Sequence, residues 1–151
     1  AGIVTSYSIV PNEKIRKEFY EFLEAGELGD GTIFAYTATE AAYTYGAEWL
    51  QQMRMYVMEN VRFVDEFFKT KLPKIKVYPP QASFLVWLDC RDLKLSQEEL
   101  VKLFQEKAGL LLNDGSMFGP GGEGHMRLNI GCPRSVLDTA LNALKKAIDK
   151  K

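Results

Sequence analysis

A segment that is almost without charge is the strongest constraint on the fold of this chain. Between Thr32 and Ala47 the only charged residue is Glu40, and apolar side chains lie on every side of a helix drawn through the segment. A helix that is apolar on all sides is normally buried on all sides. Because a small domain offers few such places, we expect this segment to pack against protein that the chain does not contain.

The composition excludes several classes of protein. The chain has 19 basic and 20 acidic residues and a net charge of −1, so it lacks the basic surplus of a nucleic-acid-binding protein. With 46% hydrophobic and 12% aromatic residues it does not resemble a disordered chain. No apolar run approaches the roughly 20 residues that cross a membrane. We expect a folded cytoplasmic protein that binds neither nucleic acid nor membrane.

The cysteines and the single histidine predict no metal site. Cys90 and Cys132 lie far apart in the sequence and in no CxxC motif. A zinc site needs three or four ligands, which His125 and the two cysteines do not provide in a recognisable spacing. We expect two reduced, buried thiols in a reducing cytoplasm, although the spacing alone leaves a disulfide between them open.

Hydrophobic periodicity divides the chain near residue 73. Residues 1–73 predict a strand over residues 1–10, a helix capped by Asn12, the segment 32–47 and a long amphipathic helix that Pro73 ends. Residues 74–151 alternate strands with helices. The predicted strands are 75–78, 83–89, 110–112 and 126–130, and the helices begin at a Ser96–Glu99 capping box and at Pro133. This pattern indicates an α+β two-layer domain, with helices packed on a small mixed sheet, preceded by a helical arm.

A glycine-rich loop precedes the last predicted strand. This glycine loop, residues 115–124, contains a G-x-G-x-x-G match at Gly119, Gly121 and Gly124. A dinucleotide-binding fingerprint has to open a helix, whereas this run leads into a predicted strand, so nucleotide binding is disfavoured. We interpret the loop as a flexible connection between two strands, whose glycines would also let the backbone approach a ligand.

Arg127 is the best candidate for binding a ligand. On a strand over residues 126–130, Met126, Leu128 and Ile130 would face the core, while Arg127 and Asn129 would share the other face. A guanidinium beside an amide suits a carboxylate, which it binds through paired charge-assisted hydrogen bonds. From the spacing alone, an ordinary surface arginine explains the pattern equally well.

His125 has the chemistry of a general base but lacks the expected partners. No aspartate in the sequence is evidently placed to orient it, and the nucleophile motif G-x-S-x-G is absent. A structural histidine is therefore the favoured interpretation.

Several motifs together resemble one enzyme family. The run Met-Arg-Leu-Asn-Ile-Gly-Cys-Pro-Arg at residues 126–134 resembles the end of a fold-type-I pyridoxal-phosphate (PLP) enzyme of the class I/II aminotransferase superfamily. This run, preceded by Phe118-Gly119 and Gly122, is similar to the cystathionine β-lyase, or C–S lyase, branch, as are residues 46–50 and 83–91. Residues 1–7 resemble the segment after the Schiff-base lysine. Two departures are Val4, where many aminotransferases have an arginine, and Ala82, where a glycine is expected.

The resemblance implies which residues would act and which are missing. Arg127 would bind the substrate α-carboxylate, with Asn129 as a weaker supporting candidate. The Schiff-base lysine would lie upstream of Ala1, so we expect no catalytic residue in this chain and no cofactor covalently bound to it, and its cofactor-binding residues are unassigned. Residues 1–73 would be the tail of the large PLP domain and the interdomain helix, and residues 74–151 the C-terminal small domain.

The resemblance also implies an activity for the parent protein. We interpret the chain as the C-terminal part of a PLP-dependent C–S lyase, which converts a small sulfur amino acid to a thiol, ammonia and pyruvate by α,β-elimination. An aminotransferase of the same fold is the alternative, and a stand-alone non-catalytic α+β module is a third possibility. The parent would be a homodimer, and the fragment would self-associate through residues 32–47.

Overall fold

A computed structural model describes residues 3–29 and 31–150. Within this part, the helices are α1 (Glu13–Ala25), α2 (Ile33–Tyr45), α3 (Ala47–Lys71), α4 (Gln97–Lys102) and α5 (Arg134–Asp149). The strands are β1 (Lys76–Tyr78), β2 (Leu85–Asp89), β3 (Asn113–Asp114) and β4 (His125–Asn129). None of the helices in the described ranges is long and apolar enough to span a membrane.

The chain divides into two compact units, Ala1–Gln51 and Gln52–Lys151. The division falls within α3, whereas the sequence places a domain boundary after this helix, at residue 73. That boundary concerns the organisation of the whole protein and stays a prediction.

The first unit contains two capped helices. Asn12 Oδ1 accepts a hydrogen bond from the backbone N–H of Ile15 at 3.0 Å, which confirms the predicted cap of α1. Thr32 caps α2 through the N–H of Ala35 at 3.1 Å. The strand predicted at residues 1–10 is wrong for residues 3–10, because the described part of this unit offers no strand for them to pair with. Residues 1 and 2 lie outside the described residues.

The charge-poor segment forms α2, and its side chains are mostly exposed. Ala35 is the residue that is buried in this helix, whereas the exposed fraction is 80% for Phe34 and 82% for Tyr45. The helix predicted from the sequence is therefore present, and this unit leaves most of its apolar surface uncovered.

The second unit is built on a four-stranded sheet in the order β1-β2-β4-β3. Each neighbouring pair in this sheet is antiparallel, so the expectation of a mixed sheet was wrong. The reason lies in the strand order. β2 and β3 run parallel, since each is antiparallel to β4, but β4 lies between them and they never pair. The α+β fold class is confirmed, because helices pack on this sheet.

Each predicted strand differs from the observed one. β1 begins one residue later than the predicted strand 75–78, and β2 begins two residues later than the predicted strand 83–89. β4 begins and ends one residue earlier than the predicted strand 126–130. The strand predicted at 110–112 is absent, and Leu111 is 87% exposed. The N–H of Leu110 donates to the carbonyl of Phe104 at 2.8 Å as the chain leaves the turn that follows α4, so it is not available to a neighbouring strand. Pairing starts only at Asn113.

Local sequence signals determine where the last two helices, α4 and α5, begin. The Ser96–Glu99 capping box is confirmed, since the N–H of Ser96 donates to Glu99 Oε2 at 2.9 Å and the N–H of Glu99 donates to Ser96 Oγ at 3.2 Å. The sequence predicts Pro133 at the first helical position of α5, whereas the structure places it one residue earlier, at the N-cap, and the helix begins at Arg134.

One face of the sheet forms the core. Its buried side chains Val86, Leu88, Met126 and Leu128 belong to one apolar cluster with residues of α3, α4 and α5. Each large apolar side chain that is fully buried contributes about 1.5–3 kcal/mol to folding. Because side chains alternate along a strand, Trp87, Arg127 and Asn129 lie on the opposite face, which the helices leave open.

Both cysteines are free thiols. Cys90 is buried, as expected, whereas Cys132 is only partly buried. Burial, with a smaller contribution from the nearby Asp89, raises the pKa of the Cys90 thiol to about 12. Cys90 is therefore protonated at neutral pH and unsuited to nucleophilic chemistry.

Candidate functional site

Four side chains form a cross-sheet row on the open face of the sheet. Tyr78 is opposite Trp87, Trp87 is opposite Arg127, and Arg127 is opposite Asn113 in the strand register. Residues directly opposite each other in antiparallel strands project to the same face. The cross-sheet row, Tyr78, Trp87, Arg127 and Asn113, therefore brings aromatic, cationic and amide groups together.

The guanidinium of Arg127 in this row has one N–H donor, at Nε, without a hydrogen-bond partner among the described residues. Its Nη2 donates to Asn113 Oδ1 at 2.8 Å, and its guanidinium carbon lies 4.7 Å from the centre of the Phe118 ring. Its Nε is buried and has no hydrogen-bond partner among residues 3–29 and 31–150. A buried donor left unpaired costs about 1–3 kcal/mol, so an anionic acceptor at this edge of the guanidinium would be favoured.

Asn129 lies on the same face of β4 as Arg127, as predicted, but its side-chain amide is hydrogen-bonded to the backbone and does not contact Arg127. Asn129 Oδ1 accepts a hydrogen bond from the backbone N–H of Gly131 at 2.9 Å. The amide that contacts Arg127 belongs instead to Asn113, which sequence analysis missed. The glycine loop was the available signal, because a hairpin turn over residues 115–124 brings the residues before it opposite β4.

The glycine loop joins two strands, as predicted, but it is a packed structure. A Cβ atom at Gly122 would lie 2.0 Å from the carbonyl oxygen of Gly115, so the two backbone segments are in direct contact. Gly119, Gly121 and Gly124 have φ values of +100°, +88° and +75°. Glycine is required at position 122 because the backbone of Gly115 is so close, and it is favoured at the other three positions because their backbone is left-handed. The G-x-G-x-x-G run at residues 119–124 leads into β4 and not into an α-helix, which argues against a phosphate-binding role.

His125 is buried beside the row. Its ring stacks on Trp87 with a centroid distance of 5.4 Å, and its Nδ1 donates to the carbonyl of Glu123 at 2.8 Å. Contrary to the sequence expectation, an aspartate lies nearby, since Asp89 Oδ1 is 3.8 Å from Nε2. That distance is too long for a hydrogen bond. The burial and the stacking favour the structural interpretation of His125.

Asp89 is engaged by Arg91. The Nε and Nη2 atoms of Arg91 donate to the two carboxylate oxygens at 2.9 and 2.7 Å. These hydrogen bonds hold the pKa of Asp89 well below its usual range, and the carboxylate in turn raises the pKa of Arg91. A carboxylate that is ionised and bound on both oxygens is a poor proton donor.

No metal centre is found in the part of the chain that the structure describes. Over residues 3–29 and 31–150, no three His, Cys, Asp or Glu side chains are grouped so that they could hold a metal ion.

The family model for class I and II aminotransferases matches residues 27–144. The chain belongs to this family. The match covers both the apolar helix α2 and the strand that carries Arg127, so the resemblance found in the sequence is confirmed.

Two curated relatives match almost the whole of this chain. The chain is 40% identical to cystathionine beta-lyase PatB of Bacillus subtilis over 148 residues, which are 98% of this chain and 38% of that protein. It is 33% identical to protein MalY of Escherichia coli, over 97% of this chain and 38% of that protein. The chain thus spans about 38% of the length of these curated relatives.

Solved structures show the same fold. Cystalysin from Treponema denticola, which contains a pyridoxal 5'-phosphate cofactor, superposes with a TM-score of 0.88 at 31% identity, over 94% of this chain and 36% of that one. The PLP-bound C–S lyase of Staphylococcus hominis gives a TM-score of 0.78 at 30% identity, over 95% of this chain and 37% of that one. The chain is therefore similar to part of a PLP enzyme of fold type I.

Proposed function

We propose that the protein to which this chain belongs is a PLP-dependent C–S lyase of the cystathionine β-lyase type. It would take a small sulfur amino acid to a thiol, ammonia and pyruvate by α,β-elimination. The observation in this chain that carries the proposal is Arg127, whose buried Nε is unpaired on the open face of the sheet. The cystathionine beta-lyase and C–S lyase relatives support the choice of reaction.

Arg127 would bind the α-carboxylate of the amino acid. A planar guanidinium forms two parallel charge-assisted hydrogen bonds to a carboxylate, and this fixes the orientation as well as the position of the substrate. Asn113 binds Nη2, whereas the buried Nε has no partner among the described residues, so its N–H would pair with the carboxylate once the guanidinium turns toward the ligand. Asn129 would contribute only indirectly, since its side-chain oxygen is bound to Gly131.

The residues of the cross-sheet row fit the substrate side of a PLP site. When bound, PLP supplies the electron sink for the carbanion formed at the substrate Cα. Arg127 and Asn113 provide the donors that a substrate carboxylate needs, whereas the row provides no lysine for the cofactor. That lysine would belong to a part of the parent protein outside this chain, and the cofactor-binding residues stay unassigned.

The lyase proposal is tested with the full-length protein and L-cystathionine. We expect pyruvate and a thiol to form without any added keto acid, because elimination releases the amino group as ammonia. An aminotransferase, the alternative that the family match supports, would retain the amino group and turn over only with an amino acceptor. Strict dependence on an acceptor would refute the lyase assignment, and a non-catalytic module would give no product in either assay.

We also propose that copies associate through α2, as in a homodimer of the full-length protein. The exposed apolar side chains of this helix form a larger apolar patch than the surface of a monomeric protein usually carries. The doubly substituted chain Phe34→Glu, Tyr45→Glu should sediment as a monomer, whereas the unaltered chain should form larger species. Val136→Glu, at an exposed apolar position on α5, is the matched control. Identical sedimentation of the α2 variant and the unaltered chain would refute this interface.

The cytoplasm is the proposed location. Two free cysteines, one of them buried and protonated at neutral pH, are typical of a reducing compartment. Recovery of the native protein in the cytoplasmic fraction is the expected result, and its recovery outside that fraction would contradict the proposal.

A further inference from the structure

We propose that the glycine loop is built to place Phe118 against Arg127, and that Phe118 is a positioning residue for carboxylate binding. The proposal rests on the carboxylate-binding role of Arg127 proposed above. It assigns a function to the loop, which neither the fold nor the nucleotide-binding interpretation explains.

Phe118 covers one face of the Arg127 guanidinium. Its ring centre lies 4.7 Å from the guanidinium carbon and 5.5 Å from the ring centre of Trp87, which it meets edge-on. Phe118 is 50% exposed, so the ring is not part of the apolar core. It contacts two members of the cross-sheet row and can be changed without opening the core.

The turn that carries Phe118 is fixed at its start. Residues Gly115–Phe118 form one short 3₁₀ turn, capped by Asp114, whose Oδ1 accepts hydrogen bonds from the Ser116 N–H at 2.8 Å and from Ser116 Oγ at 2.7 Å. Gln97 of α4 donates to the same Oδ1 at 2.6 Å. The side-chain oxygen of Gln97, Oε1, accepts a hydrogen bond from the backbone N–H of Gly124 at 2.7 Å. One side chain of α4 thus holds both ends of the glycine loop.

The glycines close the loop over the row. Directly after Phe118, the backbone turns at Gly119 with a φ of +100°. The chain then returns so that Gly122 lies against Gly115, at a distance that leaves no room for a Cβ atom. This closure, and not contact with a phosphate, is what requires the small residues.

A ring stacked on the guanidinium would act on the orientation of its plane. A carboxylate forms two parallel hydrogen bonds only when it lies in the guanidinium plane. The Phe118 ring covers one face and Asn113 binds Nη2, so the orientation of the plane is held from two sides, while the buried Nε has no hydrogen-bond partner among the described residues. In this proposal Phe118 acts on the substrate carboxylate through Arg127, whose guanidinium it contacts.

The test uses the full-length holoenzyme with L-cystathionine as the probe. Phe118→Leu keeps the apolar bulk and removes the π face. We expect KM to rise about 3- to 30-fold, the range of a cation–π contact, with kcat changed less than twofold. Phe118→Tyr should restore KM. Met117→Leu is the matched control, because Met117 lies in the same turn, is 71% exposed and should leave KM unchanged.

A spectroscopic readout separates positioning from a general structural effect. In ¹⁵N–¹H spectra of the holoenzyme, the Nε–H signal of Arg127, assigned by its loss in Arg127→Lys, should shift in Phe118→Leu and not in Met117→Leu. An unchanged signal, an unchanged KM in Phe118→Leu, or an equal KM rise in Met117→Leu would overturn the proposal. If Arg127→Ala itself leaves KM normal, the carboxylate site is wrong. If Arg127→Ala is damaging and Phe118→Leu is neutral, only the positioning role fails.

Discussion

Replacing Arg127 by alanine in the full-length protein is expected to lower kcat/KM for L-cystathionine by more than about 100-fold. Arg127→Lys should cost about 10- to 150-fold, since the loss of one charge-assisted hydrogen bond is worth about 1.5–3 kcal/mol and lysine cannot reproduce the planar fork. Alanine is worse because the substrate carboxylate is then desolvated without a partner. Steady-state kinetics with circular dichroism and cofactor absorbance provide the measurement, and the fold should survive both changes.

The control for this experiment is Arg62. It lies exposed on α3 in an ion pair with Glu59, and Arg62→Ala should leave kcat/KM within about twofold. Arg134, although nearer in sequence to Arg127, is unsuitable because its Nε donates to the buried Asn60 at 2.7 Å. Near-normal kcat/KM in Arg127→Ala, or equal damage in Arg62→Ala, would show that the carboxylate site is misassigned.

Asn60→Leu is expected to reduce the free energy of unfolding by about 3–5 kcal/mol. Asn60 on α3 is fully buried, and its Nδ2 donates to the carbonyls of Ile130 at 2.9 Å and Cys132 at 3.0 Å. Its Oδ1 accepts from Arg134, whose guanidinium also lies 4.6 Å from the centre of the Phe63 ring. Leucine has a similar size but would leave three polar groups without partners.

Urea denaturation measures this effect. Asn142→Leu is the matched control, because Asn142 lies exposed on α5 and its amide bonds only within its own helix, to Asp138. We expect a change of less than about 0.5 kcal/mol for this control. A loss below about 1 kcal/mol in Asn60→Leu would mean that the connection between β4 and α5 does not depend on this amide.

The features that sequence reasoning predicted correctly are local ones. The caps at Asn12 and Ser96 involve backbone groups three residues away, and the alternation that places Arg127 opposite the core is a property of one strand. The strand at 110–112 failed because an apolar run does not reveal that the N–H of Leu110 is already bound to Phe104. Periodicity reports which side chains are apolar, and it does not report which backbone groups are free to pair.

The missed members of the site depend on contacts between distant segments. Asn113 meets Arg127 because the register of β3 against β4 is set by a loop whose path depends on Gln97. Asn60 is 70 residues from Ile130, the carbonyl of which it binds. No spacing rule relates such residues, so the sequence predicted the ligand-binding arginine and not the groups that hold it in place.

The short outer strands of the sheet have a consequence for how copies of the protein can meet. At one edge, β3 contributes only two residues, and at the other, the three residues of β1 lead into Pro79 and Pro80. Proline has no backbone N–H to donate to a neighbouring strand, and an edge strand of two residues has too few backbone groups to pair with another strand. The exposed sheet edges are therefore protected against amyloid-like strand addition, and contacts between copies must form between side-chain surfaces.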